Sequence, residues 1–313
     1  MIRSHPTSID AHFLTMVYSQ IYKNEFQSAT VIELNYGIWA DFIKIQSHGV
    51  NIGITGGRLG YLLGSIESNA MAQPAKYWKN LLKDIMIQEN LQIITLTWPD
   101  NVIACEIFDS FRPVVYDISS IQESFSEKDQ TIGKGGNRNE IKRMIRKAKA
   151  SDYHLEISTN RIELKQWYDD CYTVRMSEII GERWPYVAFD ASLQSGAKLL
   201  LCKCDNRIIG GILFLENQST IEVLAIASSK ESQNQGTNYL LTLHLFEYAY
   251  HRGLIYFNWQ GSSSRVGGVA HFKRQWSTEE HIFLQGSMLR DFSVRQILPV
   301  LRQKLPLLSV YPD

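Results

Sequence analysis

The sequence predicts an α/β fold built from two units. Residues 222–227 form an apolar β-type segment, residues 237–250 have helical periodicity, and residues 254–259 are β-branched and aromatic. Upstream, residues 30–34, 39–46 and 50–55 predict strands, followed by a helix at 77–86 and a strand at 91–98. These two groups of elements suffice for two sheets with flanking helices, which is consistent with a length of 313 residues.

The helix that follows Gly236 has apolar and aromatic residues at a spacing of three and four, and Gly253 lies where a left-handed residue would end it. The residues on this predicted face are Tyr239, Leu240, Leu243, Phe246, Glu247 and Tyr250. Before it, residues 197–204 and 208–216 predict a hairpin, with a bulge at Gly210 and Gly211. Residues 228–235 and the glycine- and serine-rich stretch from 261 predict loops, the second of which carries residues 272–274.

Composition excludes several classes of protein. The formal net charge is zero, so no general field attracts DNA or an acidic membrane, and 44% hydrophobic residues supply a large core. The sequence contains no apolar run of signal-peptide or bilayer-spanning length, which predicts a cytoplasmic protein without a transmembrane segment. Both a monomer and a homodimer are compatible with the sequence.

Four cysteines in a chain of this length do not predict a disulfide framework. Cys202 and Cys204 alternate on one predicted strand and lack a second pair at zinc-ligand spacing. We interpret them as structural rather than metal-binding or redox-active, and we expect no metal and no tightly bound cofactor.

A basic helix is predicted over residues 137–150, because seven Lys or Arg between 134 and 149 face one acid, Glu140. Arg138, Lys142 and Arg146 lie four residues apart and share a face, whereas Ile141, Met144, Ile145 and Ala148 form the apolar side. Two interpretations remain open. The face is either a solvated surface or a site for the phosphates of tRNA or of a nucleotide-linked acceptor.

These residues resemble a known family, the Fem-type transferases of the GNAT-fold superfamily, and are similar also to the acyltransferases of exopolysaccharide clusters. The segments that carry the resemblance are 238–241, 247–249, 252–253, 257–261, 272–276 and, upstream, 116–118 with the basic helix. The resemblance implies two tandem GNAT-like domains, each a mixed, mostly antiparallel sheet flanked by helices. We expect an N-terminal degenerate domain at 1–118, a connection at 119–136, and a catalytic domain at 137–313 that ends in a helix at 288–305.

The resemblance also implies a function, the formation of an amide by acyl transfer. A Fem-type protein moves an aminoacyl group from aminoacyl-tRNA to an amine of a cell-envelope precursor or a related small molecule. An acyl-CoA-dependent N-acyltransferase is the alternative, and a non-catalytic binding protein of the same fold is another. The donor would lie at the loop before the helix, at Gln233, Gly236, Asn238 and Tyr239, although Asn238 replaces the small residue usual in acyl-CoA enzymes.

By the match to the family's phenylalanine–lysine motif, Lys273 would supply a cation for the tetrahedral oxyanion, and Phe272 would help to orient the nucleophile. His271 is either a general base or incidental. The residues expected to bind the acceptor or its phosphates are those of the basic face, Arg138, Lys142 and Arg146, together with Arg175, Arg183, Trp259 and Gln260.

Overall fold

The computed structural model describes residues 29–32, 38–39, 42–54, 65–66, 73–98, 101–126, 131–132, 137–178, 185–217, 219–262, 268–290 and 296. The strands are β1 (Ala29–Ile32), β2 (Ile38–Trp39), β3 (Phe42–Ser47), β4 (Val50–Ile54), β5 (Ser65–Ile66), β6 (Ile93–Trp98), β7 (Ser110–Ser120), β8 (Phe125–Ser126), β9 (Thr131–Ile132), β10 (His154–Ser158), β11 (Lys198–Cys204), β12 (Arg207–Asn217), β13 (Thr220–Ser228), β14 (Tyr256–Ser262) and β15 (Glu279–Leu289).

The helices are α1 (Ala75–Gln88), α2 (Asn101–Ile107), α3 (Ile121–Ser124), α4 (Asn137–Lys149), α5 (Arg161–Trp167), α6 (Thr173–Glu178), α7 (Tyr186–Gln194), α8 (Lys230–Gln233), α9 (Thr237–His251) and α10 (Gly268–Trp276). A π-helical turn, Tyr168–Tyr172, joins α5 to α6. Among the described residues, no helix combines the length and the apolar character needed to cross a bilayer.

The chain divides into two compact units. The first contains residues 1–115, 261–264 and 282–313, and the second contains residues 116–260 and 265–281. The last described strand, β15, belongs to the first unit from residue 282 onward, because Leu284 to Leu289 pair with β6. The sequence-based division instead assigns all residues after 136 to one domain.

The first unit has the strand order β1-β3-β4-β6-β15. Neighbouring strands are antiparallel except for β4 and β6, which are parallel and are connected through α1. The apolar face of α1, with Trp78 and Leu82 at its centre, packs against this sheet and is fully buried. This is the amphipathic helix that the spacing of its apolar residues predicts.

The second unit has the strand order β10-β11-β12-β13-β14, antiparallel except for the parallel pair β13 and β14. Helix α9 connects these two parallel strands. It is buried on more than the predicted face, since Leu241 and Leu245 are as inaccessible as Phe246. The expected mixed, mostly antiparallel sheets with flanking helices are confirmed.

Two glycines of the predicted hairpin make room for packing. A Cβ atom at Gly211 would lie 2.9 Å from the Trp167 indole nitrogen, and one at Gly210 would lie 3.0 Å from the Thr237 methyl group. The register of the hairpin shifts between Cys202 and Lys203, opposite Gly210, so a bulge occurs at the expected place.

Several predicted loops and ends differ from the structure. The predicted connection at 119–136 contains α3 and the short hairpin β8–β9, because Ile121 is buried in the core of the second unit. Residues 288–289 end β15 rather than beginning a helix, and most of the predicted helix at 288–305 lies outside the described residues. Residues 1–28 and the glycines at 56, 57, 60 and 64 also lie outside them.

Candidate active site

The parallel strands β13 and β14 separate after a short stretch of pairing. They pair at Thr220–Tyr256, Ile221–Phe257 and Glu222–Asn258. Strand β13 nevertheless continues to Ser228 and β14 to Ser262. A bulge in β13 lies at the same level. Phe214 of β12 pairs with Val223, but its neighbour Leu213 pairs with Ala225, so one residue of β13 is skipped. A bulge bends a strand and increases its twist, which explains why the two strands diverge here.

Lys273 lies on α10, not in the loop that the surrounding glycines and serines predict. Ala270 and Trp276 anchor the buried side of this helix. The part-buried Lys273 donates a hydrogen bond from Nζ to the backbone carbonyl of Gln260, 3.1 Å away. Gln260 has a φ of 65°, in the left-handed region that residues other than glycine rarely adopt. Its carbonyl is thereby directed toward α10 at the end of β14.

Asp117 of β7 is the acidic partner of Lys273 in this site. Its side chain is buried and accepts a long hydrogen bond, 3.5 Å, from Oγ of Ser277. Burial raises the pKa of Asp117, and the positive charge of Lys273 opposes that rise. Burial also lowers the pKa of Lys273 to about 8, and the charge of Asp117 opposes that fall. The site therefore holds an acid and a base whose pKa values lie nearer to neutral than usual.

An aromatic cluster supports the helix that carries Lys273. The ring of Phe272 contacts Tyr239, Trp259 and Trp276 at centroid distances of 5.2 to 6.0 Å. Tyr239 donates a hydrogen bond from its hydroxyl to Oε1 of Gln275, 2.8 Å away. Phe272 and Tyr239, which the sequence assigns to different subsites, thus lie side by side.

Gln275 also connects α10 to the basic helix. Its amide nitrogen lies 3.3 Å from Oε2 of Glu140 on α4 and 3.2 Å from Nε2 of His271. His271 itself is exposed. The side chain of Gln275 is buried, so these contacts fix the relative position of α4 and α10 within the second unit.

The basic helix α4 has the predicted polarity. Ile141, Ile145 and Ala148 are buried, and basic residues occupy the opposite side. Of these, Arg143, Arg146, Lys147 and Lys149 are exposed, and Arg138 and Lys142 are partly buried.

The loop before α9 is in direct contact with α4. A Cβ atom at Gly236 would lie 2.3 Å from the backbone carbonyl of Met144, and Gly236 has a φ of 84°. Only glycine satisfies both conditions, the close approach and the left-handed conformation. Lys147 adds a hydrogen bond from Nζ to the carbonyl of Asn234, 2.7 Å away.

Two other residues of this loop were predicted to bind the donor. Gln233 donates a hydrogen bond from its side-chain amide to the carbonyl of Ser228 at 3.0 Å, so the side chain ties the loop to the end of β13. Asn238 has a buried side-chain oxygen that accepts no hydrogen bond from any described residue. Donor binding at Gln233, Gly236, Asn238 and Tyr239 stays a prediction.

The residues predicted to bind the acceptor differ in their burial and in their hydrogen-bond partners. Trp259 is a core residue, only 2% exposed, and its indole N–H donates to Oγ of Ser119, so its contact with an acceptor stays a prediction. The side chain of Gln260 is buried against Glu222, so only its backbone faces Lys273. Arg175, on α6, pairs with Glu178 at 3.2 Å. Arg183 lies outside the described residues.

Two buried acids, Asp117 and Glu222, were not proposed as site residues from the sequence. Both interrupt strands that are otherwise apolar at alternate positions. Because a carboxyl group loses hydration on burial, an acid at a core-facing strand position is a signal for a special role. The spacing alone does not show what surrounds either acid, since their contacts come from residues far away in sequence.

Two of the four cysteines, Cys171 and Cys202, are buried. Burial raises the pKa of the Cys171 and Cys202 thiols to about 12, so both stay protonated at neutral pH. Within the described part of the chain, no group of three or more His, Cys, Asp or Glu side chains is placed to hold a metal ion.

Comparison with known proteins identifies the fold. Residues 135–274 match the family model Acetyltransf_6, described as an acetyltransferase (GNAT) domain. The crystal structure of FemX superposes with a TM-score of 0.62 at 13% identity, over 92% of this chain and 97% of that one. The chain therefore shares the fold of FemX, and its residues 135–274 match a GNAT domain. The resemblance that the sequence motifs indicate is confirmed.

Two further structures share this Fem-type fold. L-PGS from Bacillus licheniformis has a TM-score of 0.57 at 12% identity, over 97% of this chain and 99% of that one. The C-terminal domain of a putative lysylphosphatidylglycerol synthetase from Agrobacterium fabrum has a TM-score of 0.56 at 9% identity, over 94% and 95%. No curated protein matches the sequence. The chain thus has the GNAT fold and matches an acetyltransferase (GNAT) domain over residues 135–274.

Proposed function

We propose that this protein transfers an aminoacyl group from aminoacyl-tRNA to an amine and forms an amide bond. The observation that carries the proposal is the setting of Lys273. A part-buried ammonium is held by a backbone carbonyl, next to a buried carboxyl group, at the point where β13 and β14 separate. A fixed cation in a poorly hydrated site is suited to stabilise an oxyanion.

The reaction proceeds in two steps in this proposal. The neutral amine of the acceptor attacks the ester carbonyl of the donor, so a C–N bond forms and the carbonyl oxygen gains the negative charge. Lys273 stabilises that oxygen. The intermediate then collapses, the C–O ester bond breaks, and the ribose oxygen of the tRNA leaves as a hydroxyl with the proton that the attacking amine has lost through Asp117.

Asp117 receives the proton that the attacking amine must lose. Its pKa is raised by burial, which makes its carboxylate a stronger base than an exposed aspartate. The charge of Lys273 opposes that rise in pKa and favours the ionised form of Asp117. Phe272, packed between Tyr239 and Trp276, fixes the backbone from which Lys273 projects.

Helix α4 supports tRNA as the carrier of the donor group. It presents Arg143, Arg146, Lys147 and Lys149 to solvent, and Gln275 connects it to the helix of Lys273. A local basic surface on a chain of zero net charge is suited to hold a few phosphates, not a long polyanion. Two of the similar structures are an L-PGS and a putative lysylphosphatidylglycerol synthetase, whose name joins an amino acid to a lipid. For this chain we propose a small or cell-envelope amine as the acceptor.

An acyl-CoA donor is the second candidate. It is favoured by the match of residues 135–274 to a family described as acetyltransferases and by the loop Gln233–Asn238, which keeps Gln233 and Gly236 of the diphosphate-binding pattern. Against it, Gln233 is bonded to Ser228 and Gly236 lies against the carbonyl of Met144.

One pair of measurements separates the two donors. The purified protein is titrated, at one stated salt concentration, with bulk aminoacylated tRNA and separately with acetyl-CoA. Transfer of radiolabelled amino acid to a panel of amines is then followed. We expect saturable binding of charged tRNA and amide products that require it. Saturable binding of acetyl-CoA without tRNA binding would replace the proposal by the second candidate.

A further inference from the structure

Glu222 is a fully buried carboxyl group that does not reach Lys273 directly. It lies in β13 opposite Asn258, in the last pair before β13 and β14 separate. Its Oε2 accepts a hydrogen bond from the side-chain amide of Gln260. The other oxygen, Oε1, has no hydrogen-bond partner among the described residues.

Gln260 is therefore held from two sides. Its side chain is bonded to Glu222, and its backbone N–H donates to Oδ1 of Asn258 at 2.9 Å. Between these bonds the backbone adopts the left-handed conformation with φ of 65°. A residue other than glycine persists in that conformation only where its surroundings determine it. The three side chains are each at most 3% exposed, so water does not compete for these hydrogen bonds.

The carbonyl of the same Gln260 accepts the hydrogen bond from Lys273. We infer that Glu222 is a positioning residue, whose carboxyl group holds Gln260 in the left-handed conformation and thereby fixes the ammonium group of Lys273. This inference rests on the proposed role of Lys273. Glu222 itself touches no reacting atom, because it is inaccessible and separated from Lys273 by Gln260.

The protonation of the Glu222 carboxyl group is compatible with this positioning role. Burial raises the pKa of Glu222 well above its ordinary value, although Asn258 and Gln260 oppose the rise. A protonated carboxyl group still accepts through its carbonyl oxygen, so the bond from Gln260 does not need a buried negative charge. A glutamine at position 222 can accept the same bond, whereas a methionine of similar length cannot.

The test is the pKa of Lys273, measured without any substrate. Trace labelling with isotopic acetic anhydride at a series of pH values, followed by peptide mass spectrometry, gives the pKa of Lys273 in each folded variant. A carbonyl that accepts from an ammonium group favours the charged form. We expect Glu222→Met to lower the pKa of Lys273 by about half a unit or more, and Glu222→Gln to keep it near the original value.

Two further variants make the result decisive. Gln260→Met removes the other end of the bond and should lower the pKa of Lys273 in the same way, so it decides the question if Glu222→Met does not fold. Thr242→Val is the control, because Thr242 is buried on α9 and its hydroxyl has no hydrogen-bond partner among the described residues. It should leave the pKa of Lys273 unchanged.

The inference is overturned if Lys273 titrates identically in folded Glu222→Met or Gln260→Met and in the original protein. It is also overturned if Thr242→Val lowers the pKa of Lys273 equally, since the effect would then follow from any change in the packing of the core. The titration does not depend on a donor or an acceptor. A shifted pKa in a protein that transfers no aminoacyl group from charged tRNA would therefore disprove the proposed function and keep the positioning role.

Discussion

Lys273 and Asp117 carry opposite charges, yet burial lowers the pKa of Lys273 and raises the pKa of Asp117, which favours the neutral form of each. The attraction between the two groups is smaller than the cost of removing each from water. Lys273 therefore titrates near pH 8, where ordinary lysines stay protonated. This sensitivity can be measured in the rate of the reaction.

Replacing Lys273 with alanine should lower turnover by at least about a hundredfold, because the oxyanion would lose its cation. Steady-state assays with the donor that the protein accepts measure this effect, and circular dichroism shows that the variant is folded. Lys165→Ala is a matched control, since this lysine is exposed on α5 and pairs with Asp169. Equal turnover in Lys273→Ala and the original protein would remove Lys273 from the mechanism.

The rate should fall as the pH rises through about 8, since Lys273 then loses the charge that stabilises the oxyanion. The fall should approach tenfold per pH unit in kcat/KM. In Lys273→Arg, if active, this fall should disappear because arginine stays protonated. A rate that increases through pH 8 in the original protein but not in Lys273→Arg would mean that the neutral amine of Lys273 acts as a base.

Reversing the charges of Arg138 and Arg146 should weaken binding of charged tRNA and reduce the slope of log affinity against log salt by about one or more. Titrations at four salt concentrations measure the slope. The control is Lys165→Glu with Lys230→Glu, which changes the net charge equally on other exposed helical positions. If both double variants reduce the slope equally, α4 is a solvated surface.

Gly236→Ala should destabilise the protein by about 2–5 kcal/mol, because the new Cβ would meet the Met144 carbonyl and the residue would keep a left-handed backbone. Gly253→Ala separates the two contributions. Gly253 also has a positive φ, 70°, but has open space around the position of a Cβ. It should cost only about 1–2 kcal/mol. Denaturant unfolding of both variants measures the difference, and equal costs would contradict the close contact.

Glu216 should contribute to acid stability in the second unit. Burial raises its pKa, but hydrogen bonds with Lys198, Tyr248 and Arg252 outweigh that effect and lower it to about 2. In the unfolded chain an ordinary glutamate titrates near 4.5. The stabilisation is therefore complete above pH 4.5 and is lost as the pH falls toward 2.

Glu216→Gln should reduce the free energy of unfolding at neutral pH by about 1–2 kcal/mol, a value that allows for partial solvent screening. It should also flatten the dependence of stability on pH in the acid range. Glu231→Gln, at an exposed position on α8, is the control. Parallel acid dependences in the original protein and Glu216→Gln would show that the ion pair contributes nothing.

The sequence predicts most regular elements because their periodicity is local. The hairpin β11–β12, the strand–helix–strand unit around α9 and the polarity of α4 all follow from residue spacing. Helix α10 is missed because it is short and follows a stretch rich in glycine and serine, which is typical of loops. Its buried residues contact distant strands, and a local pattern carries no such information.

The candidate site is predictable only in part. Lys273 and Phe272 were found by a motif, but the partners of Lys273 are Asp117, 156 positions earlier in the chain, and a backbone carbonyl. No side-chain pattern reports the direction of a carbonyl. Trp259 was assigned to a ligand because aromatic residues serve in both binding sites and cores, and only its burial shows that it belongs to the core.

The contact between Gly236 and Met144 joins two helices by their backbones, with no side chain between them. The axis of the basic helix is consequently insensitive to substitutions on its outer face. The exposed Arg143, Arg146 and Lys149 can therefore change in number and sign while this contact and the Glu140–Gln275 contact with the helix of Lys273 stay in place.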